Sequence, residues 1–138
     1  MSERAAWIAL ASTPGVGDHT FGRLLAVHGS ASAALGAVAS LPGGSADRRL
    51  AGWTGVRLRS GLAQAIRRAA DDPRRVQRQV AAHGGWALTL LDETSPASLR
   101  AIEEPPPVLY GQGDQHVLSE GVLVAVVGTR RPTPMARD

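Results

Sequence analysis

The run of six apolar residues at positions 122–127, Val-Leu-Val-Ala-Val-Val, constrains the fold of this chain more than any other stretch. Six residues are enough for a strand and too few for a comfortable helix. Because no polar residue interrupts the run, we expect a strand covered on both faces, as in a parallel α/β sheet. Gly128, Thr129 and Arg130 follow at its carboxyl end, the edge where open α/β sheets bind ligands. The planar, permanently charged guanidinium of Arg130 suits a phosphate or a base.

The charge of the chain is divided unevenly along its length. All 15 basic residues are arginines, and residues 1–83 carry 11 of them against 5 acidic residues, a formal charge of +6. Residues 84–138 carry 4 arginines against 7 acidic residues, a formal charge of −3. A basic first half suits a polyanionic partner. The densest basic cluster, Arg67, Arg68, Arg74, Arg75 and Arg78, is also compatible with an ordinary solvated helix face, which we favour.

Residues 1–83 predict a series of short helices. The first is expected over 2–11, the second from an N-cap at Asp18 to Gly29, and the third from a Ser30 cap through Val38. A short helix over Asp47–Leu50 is expected next. Apolar residues spaced three and four apart then predict a helix from Val56. Asp72 followed by Pro73 predicts the start of another, which runs to about His83.

Pro14-Gly15-Val16-Gly17 separates the first two helices and resembles a helix-hairpin-helix turn. In such a turn, Gly15 and Gly17 permit a tight reversal, and backbone N–H groups can face a DNA phosphate at the helix N-terminus. This makes both glycines a possible secondary phosphate contact. The acidic Asp18 weakens the electrostatics, and the alternative is a hairpin that serves packing or protein contact.

From residue 84 the pattern changes to short strands. Apolar runs predict strands at 86–91, 108–110 and 122–127, and Pro96 is expected to start a short helical turn between the first two. We therefore predict an α/β protein. It consists of a small all-helical, sterile-alpha-motif-like domain over residues 1–83 and the first strands of a Rossmann-like, mainly parallel sheet over 84–138. Only eight residues follow Arg130, so this second domain is expected to be truncated.

No catalytic, metal or cofactor site is predicted. The chain has no cysteine, its four histidines share no metal-like spacing, and its adjacent acidic pairs lie in loops. Gly128 starts neither a dinucleotide fingerprint nor a Walker-type phosphate loop, which would need a lysine. No apolar run approaches the roughly 20 residues of a membrane helix, and no leader opens the chain. We expect a cytoplasmic protein that does not contact membranes.

Three segments in order resemble the DNA processing protein A family (DprA, also called Smf). The segments, quoted as they stand here, are Asp92-Glu93-Thr94-Ser95-Pro96-Ala97-Ser98-Leu99, Pro106-Pro107-Val108-Leu109-Tyr110-Gly111-Gln112-Gly113 and Val126-Val127-Gly128-Thr129-Arg130-Arg131-Pro132-Thr133. Their order and spacing are fairly specific. The helical residues 1–83 also resemble the small domain that precedes the sheet in this family.

The resemblance implies a single-stranded DNA-binding protein of natural transformation that performs no chemistry. Such proteins have an extended Rossmann fold, form homodimers, protect incoming strands and help to load the RecA recombinase. It implies that Arg130 lines the DNA pocket, that Gly128 and Thr129 shape the turn, and that Arg131 and Thr133 reach phosphates. Most of the sheet and the dimer surface would then lie beyond residue 138.

Two other functions stay open. The chain could be a fragment of a nucleotide-phosphate-binding hydrolase of Rossmann type, which would need a downstream glycine-rich segment and a catalytic glutamate. Alternatively, the helical part could be a protein-interaction module. Release of a free base from a nucleoside monophosphate would favour the first function. Folding of residues 1–83 without DNA affinity would favour the second.

Overall fold

The computed structural model describes residues 1–119 and residue 124. The predicted strand over 122–127 therefore lies outside the described residues, apart from Val124. The elements follow in this order: α1 (Glu3–Ala11), α2 (Asp18–His28), α3 (Ala31–Ala39), α4 (Ala46–Thr54), α5 (Leu62–Asp71), α6 (Arg75–Ala82), β1 (Gly85–Thr89), α7 (Ala97–Arg100) and β2 (Val108–Gln112). Short 3₁₀ turns lie at Gly43–Ser45 and Gln115–Ser119.

The first three helices are confirmed, because local capping determines their ends. Ser2 accepts a hydrogen bond from the amide of Ala5 at the start of α1, and Ser30 accepts one from the amide of Ala33 at the start of α3. Gly29 ends α2 with a φ of 79°, a left-handed conformation that glycine adopts without steric cost. The predicted N-cap of α2 was wrong by one residue, since Gly17 holds that position and Asp18 is the first helical residue.

Helices α5 and α6 begin later than predicted. The chain from Val56 to Gly61 forms a loop, and α5 starts at Leu62 because the Asp47 carboxylate accepts hydrogen bonds from the amides of Gly61 and Ala63 at 2.6 and 2.8 Å. This cap comes from 14 residues upstream, where no local pattern shows it. Helix α6 starts at Arg75, so the cap predicted at Asp72 was also wrong.

The hydrophobic core lies among the helices. Its fully buried large aliphatic residues come from five of the first six elements: Ile8, Leu10, Leu24, Leu35, Val38, Leu50 and Ile66. Trp7 and Phe21 add an edge-to-face aromatic pair with ring centroids 4.9 Å apart. Trp53 packs against this core from its border. Leu90 and Val108, which follow residue 84, also pack against this core.

The predicted parallel sheet is wrong for the strands that the structure describes. Strands β1 and β2 pair antiparallel, in a register that runs from Gly85 opposite Gln112 to Thr89 opposite Val108. A parallel pair needs a crossover that returns the chain to the far end of the first strand. The link between these strands contains only a four-residue helix and returns beside Thr89. The Rossmann-like fold class is therefore corrected: residues 1–119 are mostly helical and contain one antiparallel strand pair.

The strand pair packs on α1 through residues of the sequence motifs. The Arg4 Nε atom donates to Asp92 Oδ1 at 2.7 Å, and the Trp7 indole donates to the carbonyl of Pro107 at 2.7 Å. The hydroxyl groups of Ser12 and Tyr110 are also in contact. These contacts cross the predicted boundary at residues 83 and 84, and the division into two domains stays a prediction. No helix among the described residues is long and apolar enough to span a membrane.

Candidate nucleic-acid interface

The predicted DNA-binding residues Gly128, Thr129, Arg130, Arg131 and Thr133 lie outside the described residues. Their roles therefore stay predictions. The secondary candidates, Gly15 and Gly17, lie within the described part of the chain. The hairpin that contains them is therefore the part of the candidate site that the structure describes.

The turn between α1 and α2 is a tight hairpin. Buried Thr13 donates its hydroxyl to the carbonyl of Ala9 at 2.8 Å, and the amide of Val16 donates to the carbonyl of Thr13 at 2.9 Å. Gly15 has a φ of 95°, a backbone conformation that residues with a side chain rarely adopt. A Cβ atom at this position would lie 3.2 Å from the side chain of Leu62. This geometry is consistent with the predicted helix-hairpin-helix turn.

The N-terminus of α2 faces outward from this hairpin. Gly17 is its N-cap and offers no side chain to the first-turn amides, which lack acceptors within a helix. A Cβ atom on Gly17 would have no neighbour within 4 Å, so the surface is open. Exposed Asp18 adds a negative charge in the same turn. The geometry therefore offers amide donors to an anion, and the adjacent carboxylate weakens the attraction.

Two other helices have their first amides occupied by carboxylates of the chain itself. Glu3 accepts from the amides of Ala31 and Ser32 at 2.6 and 3.1 Å. Burial alone would raise the pKa of Glu3, but hydrogen bonds from the side chain and amide of Ser32 and the amide of Ala31 outweigh it and lower the pKa. Hydrogen bonds from the amides of Ala63 and Gly61 lower the pKa of Asp47 at the start of α5. Carboxylates of the chain thus already accept hydrogen bonds from amides at the starts of α3 and α5.

A second hairpin, between α4 and α5, shares two features with the first. Buried Thr54 donates its hydroxyl to the carbonyl of Leu50 at 3.1 Å, and Gly55 follows with a φ of 71°. Sequence reasoning missed this turn, although Thr54-Gly55-Val56 shares a threonine, a glycine and a valine with Thr13–Val16. Since Asp47 fills the start of α5, this hairpin presents no open first turn to a ligand.

One groove beside the first hairpin, of about 360 Å³, has an acidic rim, and we call it the acidic groove. Its apolar floor includes Trp7, Phe21, Leu25, Leu90, Pro105 and Pro107, and its rim includes Asp18, His19, Arg23, Glu103 and Glu104. Three of these lining residues are acidic, and one is an arginine. The balance of charge at this groove repels a phosphate chain.

The arginines of the predicted basic cluster do not act alike. The guanidinium of Arg67 donates to the carbonyl of Leu41, so this residue links α5 to the loop after α3. Arg78 forms an ion pair with Asp72 at 2.5 Å. Arg68, Arg74 and Arg75 are exposed. Within residues 1–119, no group of three or more histidine, aspartate or glutamate side chains forms a metal-binding cluster.

Comparison with known proteins gives matches at both ends of the chain. Residues 1–53 match the family model described as the DprA-like N-terminal HHH domain. Residues 86–138 match the family model described as DNA recombination-mediator protein A. The second match includes the three motif segments. No solved structure matches the chain significantly.

One curated relative is the DNA processing protein DprA of Bacillus subtilis (strain 168). It is 47% identical to this chain over 43 residues, which are 31% of this chain and 14% of the relative. The compared segment is thus a small part of that protein. The two family models, in contrast, match separate segments that leave only residues 54–85 between them. On this evidence, the chain belongs to the DprA family.

Proposed function

We propose that this protein binds single-stranded DNA and takes part in DNA processing during natural transformation. The observation that carries the proposal is the match of residues 86–138 to the DNA recombination-mediator protein A model. This segment contains Gly128, Thr129, Arg130, Arg131 and Thr133, the residues proposed to contact DNA. The name of the Bacillus subtilis relative, DNA processing protein DprA, supports the same role.

The proposed function is binding without covalent chemistry. Arg130 and Arg131 would hold phosphates through planar guanidinium groups, which match phosphate oxygens in pairs. The amides of the turn at Gly128 and Thr129 and the hydroxyl of Thr133 would add neutral donors. Because phosphate contacts release counterions, such binding weakens as salt is raised.

The hairpin at Gly15 and Gly17 is proposed as a secondary phosphate contact. The open first turn of α2 supports this role, since its amides lack a side-chain cap. The carboxylate of Asp18 in the same turn limits the affinity that this contact can supply. The contact would therefore add to a site formed elsewhere.

Protection of incoming strands and transfer of the strand to a recombinase of the RecA type are part of the proposal. The family description, DNA recombination-mediator protein A, supports a recombinase partner. A homodimer in the cytoplasm is proposed on the resemblance to the family alone.

The test is fluorescence anisotropy of a labelled single-stranded oligonucleotide titrated with the full chain and with Arg130→Ala. Loss of a charge-assisted contact of about 1.5–3 kcal/mol should weaken binding about tenfold or more. Arg137→Ala removes the same charge seven residues away and is the matched control, with a smaller expected effect. Equal affinities for wild type and Arg130→Ala would contradict the role given to Arg130.

A further inference from the structure

A second groove lies on the other flank of the first hairpin, between the end of α1 and helices α5 and α6. It has a volume of about 400 Å³, and we call it the arginine groove. Its lining includes Ser12, Pro14, Arg68, Asp72, Arg75 and Val76. Side chains far apart in sequence thus form one concave surface beside the hairpin turn.

The charges in the arginine groove favour an anion. Arg68 and Arg75 are both exposed, and within the described residues neither guanidinium pairs with a carboxylate. Asp72 also lines the groove, but its carboxylate is paired with Arg78 at 2.5 Å. Arg68 and Arg75 therefore line the groove beside a carboxylate that is already paired. The acidic groove on the same helical body has the opposite balance.

The start of α6 adds to this positive field. A helix N-terminus carries a partial positive charge and is stabilised by acidic side chains. Here Arg74 is the N-cap, Arg75 is the first helical residue, and the first turn contains no acidic residue and no side-chain cap. Placing arginines at this end is unfavourable for the isolated helix, and a bound anion would relieve the repulsion.

We propose that the arginine groove binds the phosphodiester backbone of a nucleic-acid strand, with Arg68 and Arg75 as its phosphate contacts. The guanidinium fork suits phosphate oxygens, and both arginines line the groove. This inference rests on the proposed function of DNA binding and adds a site on the helical part of the chain. It assigns a ligand to Arg68 and Arg75, two of the three exposed arginines of this cluster that form no ion pair among the described residues.

The experiment measures DNA affinity by anisotropy over a series of salt concentrations. It compares the full-length wild type with Arg68→Ala/Arg75→Ala, with the charge-retaining Arg68→Lys/Arg75→Lys, and with Arg48→Ala/Arg49→Ala. The last pair removes two exposed arginines of α4 that lie outside the groove. Each variant is measured with a single-stranded oligonucleotide and with a duplex of the same sequence.

The slope of log K against log salt is negative, and loss of two phosphate contacts should reduce its magnitude. The expected reduction is about 1.4 for single strands and about 1.8 for a duplex. The form of DNA that shows its expected decrease is the one that occupies the groove. The control variant Arg48→Ala/Arg49→Ala should reduce the magnitude of the slope by much less. The variant Arg68→Lys/Arg75→Lys should keep the wild-type slope.

Three results would overturn the inference. One is a slope change in Arg68→Ala/Arg75→Ala that is no larger than the change in Arg48→Ala/Arg49→Ala. That result would exclude the arginine groove but would not contradict the proposed binding of DNA elsewhere on the protein. Another is an equal loss in the lysine variant, because the effect would then be structural. A folded wild type that binds neither form of DNA would overturn both the groove and the proposed function.

Discussion

Individual residues determine where the chain turns and which helix ends stay open. Gly15 and Gly17 stand two residues apart in the same hairpin, yet they experience different surroundings. Gly15 has a φ of 95° and lies against Leu62, whereas Gly17 has a φ of −93° and open space around it. The backbone conformation at position 15 requires glycine, whereas Gly17 leaves room for a ligand at the start of α2.

Gly15→Ala and Gly17→Ala form a matched pair that separates these roles. Forcing alanine into the left-handed region costs about 1–3 kcal/mol, so Gly15→Ala should lower the free energy of unfolding by that amount. Gly17→Ala should change it by less than about 0.5 kcal/mol, because the weaker N-cap is offset by the lower entropy of the unfolded chain. Urea unfolding followed by circular dichroism gives both values. Equal losses in the two variants would contradict the assignment.

At the scale of elements, α1 contacts the residues around β1 and so links the first helix to the strand pair. Arg4 reaches both the Asp92 carboxylate and the carbonyl of Ala87, the latter at 2.6 Å. Asp92 also accepts from the amide and hydroxyl of Thr89 at 2.7 and 2.9 Å. A conspicuous residue of the sequence motif thus has a structural role, which is to close the turn after β1 and hold it on α1.

Asp92→Asn should therefore make stability less sensitive to acid. Burial would raise the pKa of Asp92, but hydrogen bonds from Arg4 and Thr89 and the charge of Arg4 lower it below its ordinary value. Its stabilising effect is then complete above the unfolded pKa of about 3.9 and is lost as pH falls through the folded-state pKa. Since the Arg4 side chain is 42% exposed, we expect a loss of only about 1 kcal/mol at neutral pH.

The measurement is urea unfolding of wild type and Asp92→Asn between about pH 7 and pH 3. The difference between them should be largest at neutral pH and should shrink toward the acid end. Glu93→Gln, at an exposed neighbouring position, is the control and should match wild type throughout. If the difference in unfolding free energy between wild type and Asp92→Asn grew as pH fell, the pKa of Asp92 would be raised and not lowered in the folded protein.

Elements with local signals were predictable, and elements that depend on distant partners were not. Ser2 and Ser30 cap the starts of α1 and α3, and Gly29 ends α2, so these three helices were predicted correctly. The start of α5 was missed because its cap, Asp47, is far upstream. The direction of β2 was missed because it depends on the path of the chain between β1 and β2. The Trp7 indole holds this segment by a hydrogen bond to the carbonyl of Pro107.

On the scale of the whole molecule, opposite charges lie on the two flanks of one hairpin. The acidic groove contains Glu103 and Glu104 from the segment before β2, and the arginine groove contains Arg68 and Arg75 from α5 and α6. The sequence predicted the basic first half but not this separation, which arises only when distant segments pack together. A polyanion that approaches the hairpin is therefore directed toward the arginine groove.

The most direct test of the central claim is a titration of a labelled single-stranded oligonucleotide with the unmodified full chain, at low and moderate salt, with unlabelled duplex as competitor. We predict binding that weakens as salt is raised and that resists displacement by the duplex. A chain shown to be folded by circular dichroism that leaves the anisotropy unchanged at low salt would contradict it. So would binding that the duplex displaces as readily as a single strand does.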